Sequence, residues 1–274
     1  MQFYVHQIQS PELKGLVEYI LFNYREQTNE KRRITSYANT NICLGIIQEK
    51  KLIQTEKKVK SVATGQPINA YLSGMYLAPH HFELNGTLDE ICIDFTPLGY
   101  YHFFKFPAPT YLLEQDILRH LFGTNATDVF TTIFQEKDFP IRGQLVEQFL
   151  LTKLDIFNNP FLHQSLQLIH QHQGNLTIRD INQQLNCSEK KLIRAFKSYF
   201  NLSPKAYLRI VKFRKALQQI HFAPFKKLTQ IAYESGYYDQ SHFIKEFQFF
   251  TEKSPRQLQK SLQNVQKKVI IEVK

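Results

Sequence analysis

Cysteine is scarce and unpaired in this 274-residue sequence, which has three thiols, Cys43, Cys92 and Cys187. An odd count without regular spacing excludes the disulfide framework of a small secreted scaffold, and the lack of any Cys-x-x-Cys pair removes zinc-finger spacing. No stretch approaches the roughly 18 uninterrupted apolar residues of a membrane span, so no membrane partner is expected. The N-terminal MQFYVHQIQSPELKG has neither the basic start nor the apolar run of an export signal, and a cytoplasmic location is expected. Gly-x-Gly-x-x-Gly, the phosphate-cradling Gly-Lys-Ser/Thr loop and Gly-x-Ser-x-Gly are all missing. An enzyme reading therefore has nothing specific beneath it, and no cofactor or catalytic residue is expected.

A hydrophobic content of 43% and 23 Phe residues place the chain among folded proteins, long enough for two cores. Charge is unevenly spread. Residues 160–274 hold 19 Lys/Arg against 7 Asp/Glu, a formal +12, which leaves −2 for the first 159 residues. A basic half joined to a near-neutral half points to a polyanion binder attached to something else.

In the near-neutral half, Leu13, Val17, Ile20 and Leu21 fall at helical spacing and predict an opening helix over Pro11–Asn23. Strand-like runs follow: ITSYA, ICLGII and KLIQT between Arg33 and Thr55, separated by Asn-Thr-Asn and Glu-Lys-Lys turns, then Ala70–Leu77, His81–Leu84 and Glu90–Phe95. Beyond Pro97 the pattern turns helical, weakly over Leu98–Phe104, then over Leu112–Leu121, Ala126–Phe134 and Arg142–Leu154. The polar, proline-closed Asn158–Pro160 reads as a linker. His80, His81 and Glu83 invite a metal reading, but adjacent strand residues face opposite ways, and no metal site is expected. The aromatic run Tyr100, Tyr101, His102, Phe103, Phe104, Phe106 could line a ligand pocket, although core packing is the favoured reading.

The basic half repeats itself. Ile181–Pro204 (INQQLNCSEKKLIRAFKSYFNLSP) and Ile231–Pro255 (IAYESGYYDQSHFIKEFQFFTEKSP) each give a short helix, a tight turn, a polar cap and a second helix with apolar residues four apart. That is a helix-turn-helix signature, present twice. In the first unit Thr177 can cap the first helix, Asn186 tolerates the turn, and Ser188 caps the second helix with Leu192 and Phe196 turned inward. Lys190, Ile193, Arg194 and Lys197 then lie on other faces, the surface a recognition helix offers to the major groove. In the second unit Gly236, Asp239, Phe243 and Phe247 take the matching places, leaving Gln240, Ser241, His242, Ile244 and Lys245 for DNA. Arg194 can pair with guanine, Gln240 with adenine, and Ile193 can touch a thymine methyl. Pro204–Ile220 reads as one helix joining the units, about 25 Å long at about 1.5 Å per residue. Lys205, Arg209, Lys212, Arg214 and Lys215 supply its charge, and Lys212 is a candidate phosphate contact.

These motifs resemble the AraC/XylS family of bacterial transcription regulators, most strongly through IAYESGYYDQSHFIKEF at Ile231–Phe247 with Ser254-Pro255, and also through LNCSEKKLIRAF and LSPKAY. The resemblance implies an α+β chain: an N-terminal β-rich unit with trailing helices (1–157, effector or dimerisation domain), an all-α DNA-binding domain of two helix-turn-helix units joined by a linker helix (160–260), and a basic C-terminal tail (261–274). It implies a sequence-specific regulator, usually an activator, whose partners are double-stranded promoter DNA, RNA polymerase, a small-molecule effector and a second copy of the chain. The family's base-facing positions fall on Lys190, Ile193 and Arg194, and on Gln240, Ser241, Ile244 and Lys245. Asn182 departs from the family's usual Ala, and Asn201 and Glu252 stand where Gly is common. The N-terminal stretch CIDFTPLGYYHFF at Cys92–Phe104 is similar to the effector or dimerisation module of such regulators. The rival from another class is a DNA-modifying or repair enzyme with a fused regulator-like domain, which needs a reactive thiol or a metal cluster. A pure interaction protein would leave Arg194 and Lys245 at matched positions without a purpose.

Overall fold

Runs rich in β-branched and aromatic residues set most of the first hundred positions as strands. The computed structural model describes residues 2–26, 31–55, 58–109, 111–113, 117–223, 226–266 and 269–273. The strands are β1 (Gln2–His6), β2 (Val17–Arg25), β3 (Lys31–Ser36), β4 (Ile42–Gln54), β5 (Val59–Ser73), β6 (His80–Asn85), β7 (Leu88–Phe95), β8 (Tyr111–Leu112), β9 (Leu262–Gln266) and β10 (Val269–Val273). They form one curled half-barrel sheet in the order β1-β2-β7-β4-β5-β6-β3-β10-β9, with β8 beside β5. Pairing is antiparallel except between β5 and β6. The helices are α1 (Ile117–Phe122), α2 (Ala126–Gln135), α3 (Phe139–Leu151), α4 (Pro160–Gln171), α5 (Ile178–Gln184), α6 (Glu189–Phe200), α7 (Pro204–Phe222), α8 (Leu228–Glu234), α9 (Gln240–Thr251) and α10 (Pro255–Gln259). The expected α+β architecture is thus present, with strands dominating the first half, helices the second, and a strand pair at the end.

Four local expectations are corrected. The helix over Pro11–Asn23 is absent, because Val17–Arg25 is a strand between β1 and β7. Its apolar residues run on without strict alternation since both faces are buried, and a short run of that kind fits either period. The Glu-Lys-Lys turn is a bulge inside continuous β4, where Glu49 takes φ 56° and the register with β5 shifts. Of the helix expected over Leu112–Leu121, Tyr111–Leu112 is strand and the helix begins at Ile117; residues 114–116 lie outside the described residues. The basic tail is no tail. Residues 262–266 and 269–273 form a hairpin whose second strand pairs with β3, placing Glu272 opposite Thr35 and Val273 opposite Ile34. The β-branched run V-I-I-E-V suits a strand, and the surrounding lysines masked that signal.

Central β7 shows how the sheet divides the molecule. All eight of its residues are buried. Ile91, Ile93 and Phe95 join Ile20, Phe22 and Leu44 in a core against α1–α3. Glu90, Cys92 and Asp94, pointing the other way by the two-residue period, line a cavity. The first core continues through α4–α6, taking in Leu162, Ile169, Ile181, Leu192 and Phe196. A second core joins α7–α10 to Tyr37 and Ala38 at the end of β3.

Arg142 of α3 fastens the helical layer to the sheet. It is 1% exposed and gives two hydrogen bonds to Asp89, of 2.7 and 3.3 Å, with others to the carbonyls of Phe134 and Glu136. Its guanidinium lies over the Phe22, Phe134 and Phe139 rings. Burial pushes the Asp89 carboxyl up, against the pull of Arg142. Losing one partner of a buried pair strands the other charge, so Arg142→Met should cost about 3–5 kcal/mol in urea denaturation, and Arg142→Met/Asp89→Leu should recover a large part of that.

Glu272 joins the C-terminal hairpin to the rest. Its carboxylate, 1% exposed, accepts from Tyr37 Oη at 2.8 Å and pairs with Lys253. Burial raises its pKa, but the hydrogen bonds from Lys253, Tyr37 and Ser261 outweigh that and hold it below the usual carboxylate range. A depressed folded pKa contributes stability above the unfolded value and loses it as pH falls through the folded one. The stability advantage of the wild type over Glu272→Gln should therefore be full above about pH 5 and fade below about pH 4, measured as denaturation midpoints across pH.

Candidate nucleic-acid interface

The first unit is assembled by caps. Asn159 accepts from Leu162 N at 3.1 Å to start α4, and Thr177 with Asp180 closes a reciprocal capping box on α5. The bend to α6 passes through Asn186 at φ 45°. Cys187 Sγ donates to Asn182 Oδ1 at 3.6 Å, so Asn182 holds the turn where an Ala could not. Ser188 Oγ accepts from Lys191 N, and Leu192, Phe196 and Phe200 turn α6 onto the core. Lys190, Arg194 and Lys197 are left exposed and Ile193 half-buried. Together with Glu189 and Ser198 these four line one shallow depression. Lys191 points elsewhere, its Nζ 4.4 Å from the centre of the Phe161 ring.

In the second unit Gly236 makes the bend at φ 78°, and Asp239 Oδ1 caps α9 through His242 N at 2.7 Å. Phe243, Phe247 and Phe250 face inward. Ser241, His242 and Lys245 are exposed, while Gln240 and Ile244 are half-buried. Ile244 packs against the second core. Gln240 Oε1 accepts from Thr229 Oγ1 at 2.6 Å, so an adenine contact requires that bond to open. Tyr238, 86% exposed, stands two positions before α9 and is not singled out by spacing. Its signal was the doubled Tyr237-Tyr238, of which one ring is buried and the other projects. Asn201 and Glu252, at the ends of α6 and α9, are left-handed with φ 54° and 58°, the conformation that favours Gly at both places.

The linker helix α7 spends much of its charge internally. Arg209 forms a two-bond pair with Glu246 of α9, at 2.8 and 3.0 Å, and lies over the Phe249 and Phe250 rings. Lys212, expected to meet phosphate, is half-buried and donates to the Gly236 carbonyl at 3.1 Å; burial also lowers its pKa. Its place is in the second turn. Lys205 remains exposed.

The residues weighed for a metal have other partners: His80 stacks on Tyr76, Glu83 pairs with Lys58, and His81 faces both Thr35 and Glu252 at 3.1 Å. In the aromatic run, Tyr100, Tyr101 and Phe104 are buried in the first core, and Tyr101 Oη donates to the Tyr199 carbonyl. That segment anchors α6 to the β unit.

Residues 181–261 match the model of a helix-turn-helix domain. Among curated proteins, the chain is 28% identical over 146 residues to the Msm operon regulatory protein of Streptococcus mutans serotype c, covering 52% of each. The chain thus spans about half the length of the curated relative it matches. Among solved structures it is similar to the C-terminal domain of AraT, a response regulator from Geobacillus stearothermophilus, with 26% identity, 37% of this chain and 85% of that one covered, and a TM-score of 0.35. It is also similar to ToxT from Vibrio cholerae, with 13% identity, 88% and 97% coverage, and a TM-score of 0.49.

Gly236 is where the two units touch. A Cβ there would stand 1.5 Å from Asn175 Oδ1, at the end of the first unit's opening helix. Gly236→Ala should therefore destabilise the protein by about 1–3 kcal/mol through the left-handed backbone and the crowding combined. Adding Asn175→Ala should return the steric part and leave the backbone part, as read from the denaturation midpoints of the three variants.

Proposed function

We propose that this protein is a sequence-specific DNA-binding transcription regulator. Its two recognition helices, α6 and α9, read adjacent major grooves of promoter DNA. The observation that carries this reading is the exposed face of α6, where Lys190, Ile193, Arg194 and Lys197 share one depression on a capped helix-turn-helix. Ser241, His242 and Lys245 extend the interface onto α9, and Gln240 joins once released from Thr229. The excess of positive charge in residues 160–274 supplies the sequence-independent part of the affinity.

Residues 1–157 act as the sensing or pairing half, and residues 160–260 as the DNA-binding half. Promoter activation through RNA polymerase is the role implied by the family resemblance, and a paired second copy would double the DNA contacts. The chain works by binding rather than by catalysis. Cys43 is pushed well up by its hydrogen bond with Cys92 and by burial. For Cys92, the hydrogen bond from Cys43 lowers the pKa, but burial and the neighbouring Glu90 and Asp94 push it up to about 11. Neither thiol is poised as a nucleophile.

Recovering bound genomic DNA and measuring affinity for those sites tests the reading. Binding should weaken steeply with salt. Arg194→Ala should lose about 1–3 kcal/mol on the recovered sequence and much less on a scrambled duplex. Equal losses on both would demote Arg194 to a backbone contact, and salt-independent or absent binding by the folded chain would overturn the function.

A further inference from the structure

The concave face of the sheet encloses a cavity of about 130 Å³. A cavity of about 150 Å³ is known to hold benzene, so this one suits a molecule of about six non-hydrogen atoms. Its wall is built from strand residues at alternate positions, Asn23 of β2 and Glu90, Cys92 and Asp94 of β7, with Tyr71 of β5 and Arg214 of α7 completing it. Gly45 on β4 makes room for Tyr71, since a Cβ there would lie 2.1 Å from the ring.

The polar groups in this wall leave an unmet need for donors. Glu90, 7% exposed, accepts from Asn23 Nδ2 at 2.6 Å and from Tyr71 Oη at 3.0 Å. Asn23 is also 7% exposed, and its carbonyl oxygen has no hydrogen-bond partner. Asp94, 5% exposed, accepts from Asn41. Burial pushes the Arg214 guanidinium down, against the attraction of the neighbouring Tyr19, Tyr76, Glu18 and Asp94. Burial pushes both Glu90 and Asp94 up; Asn41 and Arg214 pull Asp94 down, whereas Glu90 is pulled down by hydrogen bonds from Asn23, Tyr71 and Cys92 alone, so Glu90 is the carboxylate whose charge a ligand would offset. Tyr19, Tyr37, Tyr71 and Tyr76 supply ring surface around them, a setting that favours cations. Among the described residues no group of three or more His, Cys, Asp or Glu is placed to hold a metal ion, so the cation that fits is organic.

We propose that this cavity binds a compact organic cation, an amine or amidine, with its N–H groups directed at the Asn23 carbonyl and the Glu90 carboxylate. The inference rests on the reading of the β unit as the sensing half. Because α7 forms part of the wall through Arg214, the bound cation touches the same helix that joins the two DNA-reading units.

Three probes of similar size and different charge test this on the full chain: n-butylammonium, butan-1-ol and butyrate. Butylammonium should raise the melting temperature by about 2–4 °C when about fivefold above its Kd, with little effect from the other two. Glu90→Gln, which keeps the shape and removes the charge, should weaken butylammonium at least about tenfold. If that variant does not fold, Asn23→Ser should weaken it about fivefold. A shift by butanol or butyrate as large as that by the amine overturns the proposal. So does the absence of any amine shift, or unchanged amine binding in the folded variant. DNA affinity of the same preparation without probe is measured in parallel. Its loss would sink the regulator reading and leave the amine result standing, and the converse pattern would sink only the cavity's assignment.

Discussion

The linker helix α7 is the constraint on which the arrangement of both reading units depends. Only Lys205, Gln218 and Phe222 of its residues are exposed, so other elements cover it on most sides. Tyr207 and Leu208 belong to the core shared with α4–α6 and the β unit. Ile210, Phe213, Ala216, Leu217 and Ile220 belong to the core shared with α8–α10. A helix of 19 residues is about 28 Å long at about 1.5 Å per residue, and burial on opposite sides in two cores removes its freedom to roll or slide. Arg209 and Lys212 then tie the second unit to it through Glu246 and the Gly236 carbonyl. The separation of α6 and α9 is therefore a property of packed cores. A displacement of α7 moves both reading faces together.

The same helix brings the β unit into that arrangement. Arg214 lies in the cavity wall while its neighbours Phe213 and Ala216 sit in the second core. Tyr37 belongs to both the cavity lining and that core, and its hydroxyl holds Glu272. Cavity, linker helix and second reading unit are thus joined by direct contact, without an intervening loop. Energetic coupling between distant sites needs an element that both sites bias, and α7 is the element that the cavity and both recognition helices share.

The DNA-reading half was legible in the sequence because its rules are local. Caps at Thr177, Ser188 and Asp239, bends at Asn186 and Gly236, and apolar residues four apart each depend on neighbours within a few positions, so one strand of text carries them. The place of Lys212 was not legible, for the opposite reason. Its partner, the Gly236 carbonyl, lies 24 positions away, and charge on a helix says nothing about which face is covered. Gln240 was assigned to DNA on spacing and on the family resemblance, neither of which could reveal Thr229 on the preceding helix. In the β half the strands were mostly visible, but Val17–Arg25 was not, since burial on both faces erases the alternation that distinguishes strand from helix. The cavity was written in β7 as polar residues at 90 and 94 alternating with Ile91, Ile93 and Phe95. That pattern identifies a cavity only once the other walls are known.

The C-terminal hairpin adds a restraint that no local rule announces. It leaves the second helix-turn-helix unit after α10 and returns to pair with β3, so the end of the helical half completes the sheet of the β unit. Glu272 secures that return with one partner from each side, Tyr37 after β3 and Lys253 after α9, and His81 with Glu252 adds a second, exposed contact nearby. The exposed pair contributes little, whereas the buried carboxylate cannot lose either donor cheaply. The second unit is consequently held to the β unit twice, through α7 and through β10, while the first unit is held through the aromatic contacts of Tyr101 and Phe157 with Tyr199. A change in the shape of the sheet near β3 therefore acts on the second unit more directly than on the first, and its first effect is on how α9 is presented relative to α6.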